Sequence, residues 1–171
     1  FNIESESELT RIEKVASENN KIVDVAIRFN PEVDSGGHEY IKTGRKGDKF
    51  GISSNKLVLK LSEYIYNSDN LRLIGLACHI GSQIADLESY KSTAINIKKL
   101  AEDIDKTGNE LKFLDLGGGL GIPYKDDKTP SPEELVSIIE GELKDRKEKI
   151  ILEPGRSITG NAGVLLTKVE Y

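Results

Sequence analysis

The sequence predicts an α/β fold, and within that class part of a (β/α) barrel of the TIM type. Three observations lead there. Short apolar runs suited to strands alternate with segments of helical period along nearly the whole chain. Each of these runs ends in a polar or glycine-rich cluster: Arg28 to Gly37, Cys78 to Gln83, Asp115 to Gly121 and Glu153 to Arg156. Barrel enzymes spread their chemistry over the C-terminal ends of several strands, whereas an open doubly wound sheet concentrates it at one switch point. Four chemically loaded strand ends in a row therefore favour about half a barrel.

The elements follow in order. Ser5 and Glu8 have the spacing of a capping box, and Leu9, Ile12, Val15 and Ala16 then recur at helical spacing until two asparagines close the helix near Asn20. Residues 22–29 read as a strand. The loop 30–53 is about twice the usual connection length, which makes it a lid candidate. Helical patterns span 55–66, 87–105 and 132–144, the last opened by Ser131 as N-cap with Pro132 at the first helical position. Strands are expected at 71–80, 111–116 and 149–153. The closing GVLLTKVEY alternates in the manner of a further strand.

Composition narrows the function classes. No apolar stretch approaches the roughly 18 residues that cross a bilayer, so a membrane span is not expected. The net charge of −5, with both signs interspersed, offers no basic stripe for nucleic acid. The single cysteine, Cys78, leaves no internal disulfide or cysteine-based zinc cluster, and no secretion signal opens the chain, so the cytoplasm is the expected location. The two histidines, His38 and His79, lie too far apart, without matching carboxylates, for a metal site. Methionine is absent altogether, and the chain is expected to be an internal fragment of a longer protein.

The glycines of DLGGGLG invite comparison with a dinucleotide-type loop. That loop opens directly into a helix and is followed by an acidic residue about 20 positions on. Here IPYKDDKTPSP intervenes and the next strand-end acid is Glu153. Gly117, Gly118 and Gly119 read instead as an anion cradle of clustered backbone amides. His79 ends an apolar run beside Gly81 and Ser82, and it faces away from Cys78 because strand neighbours alternate sides. Taken alone, such a histidine is more often structural than catalytic, and its neighbours Gly81 and Ser82 turn the reading towards a group presented at the barrel mouth. Glu153 also ends an apolar strand, so its carboxylate reaches the barrel mouth. Arg156 brings a rigid donor fork suited to a carboxylate or phosphate, unless it pairs with Glu153 itself.

In this order and spacing, HIGSQ, DLGGGLGIPY and EPGRSITGNAG, with NPEVDSGGHEYIKTGRKGDKFGI upstream, closely resemble the diaminopimelate decarboxylase family. These are pyridoxal-phosphate enzymes built on an alanine racemase-like barrel. The EPGR element is shared with ornithine and arginine decarboxylases, and the other motifs point to the diaminopimelate branch.

The resemblance implies that Gly117, Gly118 and Gly119, with Ser82 and the amides of Gly155 and Arg156, hold the cofactor phosphate. It lays His79 flat against the pyridine ring, sets Glu153 at the pyridine nitrogen, and gives Arg156 a substrate carboxylate as well. The implied reaction turns meso-2,6-diaminopimelate into L-lysine and carbon dioxide, in a homodimer, with the loop from His38 to Gly44 as lid. Residues 1–160 would be the C-terminal half of the barrel domain and 161–171 the start of the connection to a C-terminal β-domain. No lysine here matches the family's cofactor-bearing lysine, so the chain alone is expected to be inactive and prone to associate. Two alternatives stay open: an ornithine or arginine decarboxylase of the same fold, or a catalytically silent homologue that binds a partner protein.

Overall fold

The computed structural model describes residues 1–33, 50–124 and 128–171. In chain order the elements are β1 (Asn2–Ile3), α1 (Glu6–Glu18), β2 (Val23–Arg28), α2 (Asn55–Tyr66), β3 (Leu71–Ala77), α3 (Leu87–Asp105), β4 (Phe113–Asp115), α4 (Pro132–Leu143), β5 (Lys149–Ile151) and α5 (Arg156–Thr159). The strands form one parallel sheet in the order β1-β2-β3-β4-β5. Strand order that simply follows chain order contains no reversal and hence no switch point. It is the arrangement of a barrel wall, as the strand ends predicted.

Local chemistry explains the helix limits. Ser5 Oγ accepts from the Glu8 amide at 3.2 Å, and Glu8 returns the bond one residue further out, to the Glu4 amide at 2.7 Å. In α4 the box is complete: Ser131 Oγ accepts from the Glu134 amide, and Glu134 accepts from the Ser131 amide at 2.8 Å. Along α3, Tyr90, Ala94, Ile97, Leu100, Ala101 and Ile104 lie buried at helical spacing, forming the stripe that meets the sheet and α4.

One irregularity decides what the sheet displays. Val25 pairs with Leu73, but Ala26 pairs with Gly75, so Ile74 is an extra residue in β3. Before it, Leu71 and Leu73 enter the helix-side core; after it, Leu76, Cys78 and Ile80 do. The parity flips, and Ala77 and His79 turn to the opposite, barrel-interior face. That face carries two rows in register, Ala26–Gly75–Phe113–Lys149 and Arg28–Ala77–Asp115–Ile151. Gly75 is bare because a Cβ there would lie 2.4 Å from the Phe113 ring.

Three expectations need revision or placement. The closing segment is not a strand: residues 161–171 form no regular element, with Val164 and Leu166 almost wholly exposed. Alternating apolarity makes a strand only where a neighbour supplies the ladder, and among the described residues none lies alongside. The short β1 and α5 escaped the sequence reading because two and four residues carry no measurable period. His38 and the lid candidate up to Gly44 fall outside the described residues.

Candidate active site

Extending each strand by two residues gives the mouth of the barrel wall. The ladder continues past the strands: the Cys78 amide donates to Asp115 O at 2.9 Å, Leu116 to Ile151 O at 3.1 Å and Glu153 to Gly117 O at 2.8 Å. His79, Gly117 and Glu153 therefore form the next interior row, above Arg28, Ala77, Asp115 and Ile151. Residues 74 positions apart in sequence meet because three parallel strands end level with one another.

His79 is half-buried and its Nδ1 accepts the Gly118 amide at 3.2 Å. An imidazole that accepts at Nδ1 carries its proton at Nε2. Burial, reinforced by the positive Arg28, lowers the His79 pKa, and Glu153 pulls the other way. The ring is thus neutral at physiological pH, with its tautomer set by the glycine loop. Cys78 faces away, as expected; burial foremost pushes its thiol pKa far up, and it is a core residue.

The three glycines serve close packing before any ligand. A Cβ on Gly117 would lie 2.6 Å from Cys78 O, one on Gly118 2.0 Å from Glu153 O, and one on Gly119 2.3 Å from Gly81 O. Gly117 and Gly119 let the loop after β4 touch the loop after β3, and Gly118 lets it touch the loop after β5. Their amides divide in the same way: Gly117 donates to Asp115 Oδ1 at 2.8 Å and Gly118 to His79. Among the described residues the Gly119 amide has no acceptor, and neither do the amides of Gly155 and Arg156. The half-buried Ser82 hydroxyl is likewise without a protein partner among them. A Cβ on Gly155 would meet nothing within 4 Å, so the side-chain position there borders open space.

Several functional contacts went unseen in the sequence. Tyr90, fully buried on α3, donates its hydroxyl to Gly118 O at 3.1 Å and props the glycine loop from below. Gln83 bonds both polar atoms of Ile122, joining the loops after β3 and β4. Arg28 at the end of β2 is held by Glu4 at 2.8 Å, and Glu4 also accepts the Gly51 amide. A charged residue on the interior side of an apolar run was the available signal for Arg28. Arg156 does not pair with Glu153 among the described residues. It donates to Tyr124 Oη at 2.9 Å and stacks over that ring at 5.9 Å.

Asp115 lies just inside this mouth, 5% exposed. Burial first, with the adjacent Glu153, raises its pKa to about 6; the Gly117 amide and Arg28 act in the opposite sense. The donor set as a whole suits a flat, phosphorylated heterocycle. It offers amides and a hydroxyl without partners among the described residues for an anion, a neutral imidazole for a ring face and a carboxyl group for a ring nitrogen.

The model of the pyridoxal-dependent decarboxylase family, pyridoxal binding domain, matches residues 1–160. The chain belongs to this family. As in other pyridoxal-dependent decarboxylases, the cofactor is pyridoxal phosphate, and the mouth just described has the donors to take it. The chain is 44% identical over its full length to the diaminopimelate decarboxylase of Aquifex aeolicus, and 43% identical to that of Haemophilus influenzae. It spans 41% of the length of each of these relatives. In structure it resembles diaminopimelate decarboxylase from Helicobacter pylori, solved with L-lysine, at a TM-score of 0.89 and 36% identity, covering 92% of this chain and 40% of that one. An arginine decarboxylase from Paramecium bursaria Chlorella virus shares the fold at a TM-score of 0.69 and 24% identity. Among the described residues no helix is long and apolar enough to cross a membrane, and no cluster of metal-ligating side chains occurs.

Proposed function

We propose that this chain is the mouth-forming half of the barrel in an enzyme that decarboxylates meso-2,6-diaminopimelate to L-lysine. The observation that carries the reading is the row His79, Gly117, Glu153, with amides at Gly119, Gly155 and Arg156 that have no acceptor among the described residues. The name shared by relatives at 43–44% identity over the whole chain supports the substrate, and diaminopimelate is favoured over ornithine or arginine on that ground.

Bound pyridoxal phosphate supplies the electron sink for the pair released when carbon dioxide leaves. The chain's own groups orient and polarise. The amides of Gly119, Gly155 and Arg156 and the Ser82 hydroxyl bind the phosphate; Gly117 and Gly118 shape the cradle through packing, their amides being spent on Asp115 and His79. His79, neutral and fixed by Gly118, lies against the ring face without a competing charge. Glu153 keeps a proton on the pyridine nitrogen. Arg156, whose guanidinium now rests on the exposed Tyr124, turns its fork to a substrate carboxylate.

The reading extends to the whole protein. Residues 1–160 form the barrel part and 161–171 a connection, in keeping with hydrogen bonds that end at Ala162. The enzyme acts in the cytoplasm as a homodimer. The lysine that carries the cofactor comes from outside this chain.

Cofactor titration of the whole protein, followed by absorbance, tests the site. Ser82→Ala should weaken pyridoxal phosphate binding about tenfold, the scale of one hydrogen bond to a charged group. Glu153→Gln should bind it nearly as well yet lose most of kcat. Unaltered binding in Ser82→Ala together with full turnover in Glu153→Gln would overturn the assignment.

A further inference from the structure

Of the backbone polar atoms of Gly118 and Gly119, all but one have protein partners. The Gly118 amide donates to His79 Nδ1 at 3.2 Å, the Gly118 carbonyl accepts from Tyr90 Oη at 3.1 Å, and the Gly119 carbonyl accepts from the Ile84 amide at 2.8 Å. The exception is the Gly119 N–H, which has no acceptor among the described residues. It belongs to the same peptide unit as the Gly118 carbonyl. In a trans peptide these two groups point in opposite directions, and no cis bond occurs among the described residues. Whatever fixes the carbonyl therefore aims the N–H.

Tyr90 fixes it from the helix side. It lies in the first turn of α3, where Asp86 caps the helix by accepting the Glu88 and Ser89 amides at 3.0 and 3.1 Å, and it is buried in the core cluster. A phenylalanine would fill the same core; the hydroxyl adds the bond to the buried Gly118 carbonyl. Burial also pushes the Tyr90 pKa up, so the hydroxyl remains a donor. The Gly119 N–H thus leaves the loop on the side away from Tyr90.

We propose that Tyr90 is a positioning residue for the cofactor phosphate, which by holding the Gly118 carbonyl aims and polarises the Gly119 N–H that the phosphate takes up. The inference rests on the reading of the glycine loop as the phosphate cradle and deepens it by assigning the buried group that sets its open amide. A hydrogen bond received at a carbonyl strengthens donation from the N–H of the same peptide, so the effect falls on the phosphate contact and not on the ring.

The test compares pyridoxal phosphate with pyridoxal, which has the same ring without the phosphate, on the cofactor-free whole protein. Tyr90→Phe keeps the core volume and removes the hydroxyl. Its affinity for pyridoxal phosphate relative to pyridoxal should fall about three- to tenfold, the partial loss of one hydrogen bond to a charged group. The Gly119 amide proton should also move upfield in the NMR spectrum before any ligand is added. A general loosening of the core would weaken both ligands alike, so an unchanged ratio, or an unmoved Gly119 resonance, would overturn the proposal. If Tyr90→Phe does not fold, a 3-fluoro substituent on the Tyr90 ring, which makes the hydroxyl a stronger donor at nearly the same size, should raise the ratio instead, and no rise would overturn the proposal equally. A wild-type Gly119 resonance that responds alike to pyridoxal phosphate and to pyridoxal would remove the cradle reading itself, and the role of Tyr90 with it.

Discussion

Gly118 shows how little freedom the mouth has at single residues. The Glu153 carbonyl lies where its Cβ would be, at 2.0 Å, and that carbonyl is backbone that cannot swing aside. Gly118→Ala should therefore lower stability by about 1–3 kcal/mol or more and displace Glu153. Gly155→Ala, with nothing within 4 Å, should leave the melting temperature unchanged. Thermal melts of the two variants check both, and equal losses would contradict the packing account. His79 and Glu153 were legible in the sequence because each ends an apolar run, and strand alternation correctly separated His79 from Cys78. Asp115 stood in the quoted motif, but its burial and its bond to the Gly117 amide were not legible: period assigns a face, and only strand register shows what closes over it. The division of labour among the glycine amides was hidden for the same reason, since it depends on which loop each amide meets.

At the level of elements, helix limits were the most readable feature. Their caps are local side-chain chemistry, and the segments 55–66 and 87–105 form as the period indicated. Ser131→Ala removes the side-chain half of the α4 capping box, leaves the Glu134 return bond in place, and should cost about 1 kcal/mol. Urea unfolding measures it, and no change in midpoint would mean that Pro132 and packing hold α4 unaided. Strand ends were less legible because a ladder is a property of pairs. The extra residue Ile74 is the clearest case: alternation alone would carry Leu71 and Leu73 on to Gly75 and Ala77, whereas the bulge moves Leu76 and Cys78 into the core. The closing segment erred in the opposite direction, having the pattern of a strand without the neighbour.

Across the whole molecule, five parallel strands in chain order bring glycines, an imidazole, two carboxyl groups and two guanidinium groups to one end of the sheet. The barrel class and the position of this mouth could be read from four loaded strand ends. The substrate could not, since no pocket for it is built from spacing; it rests on motif resemblance and on relatives of which the chain spans 41%. The most direct measurement is carbon dioxide release by the whole protein with pyridoxal phosphate, offered meso-diaminopimelate, L-ornithine and L-arginine side by side. Release from diaminopimelate alone, with lysine appearing in equal amount, is the predicted result. Release from ornithine or arginine instead, or from none of the three, would contradict it.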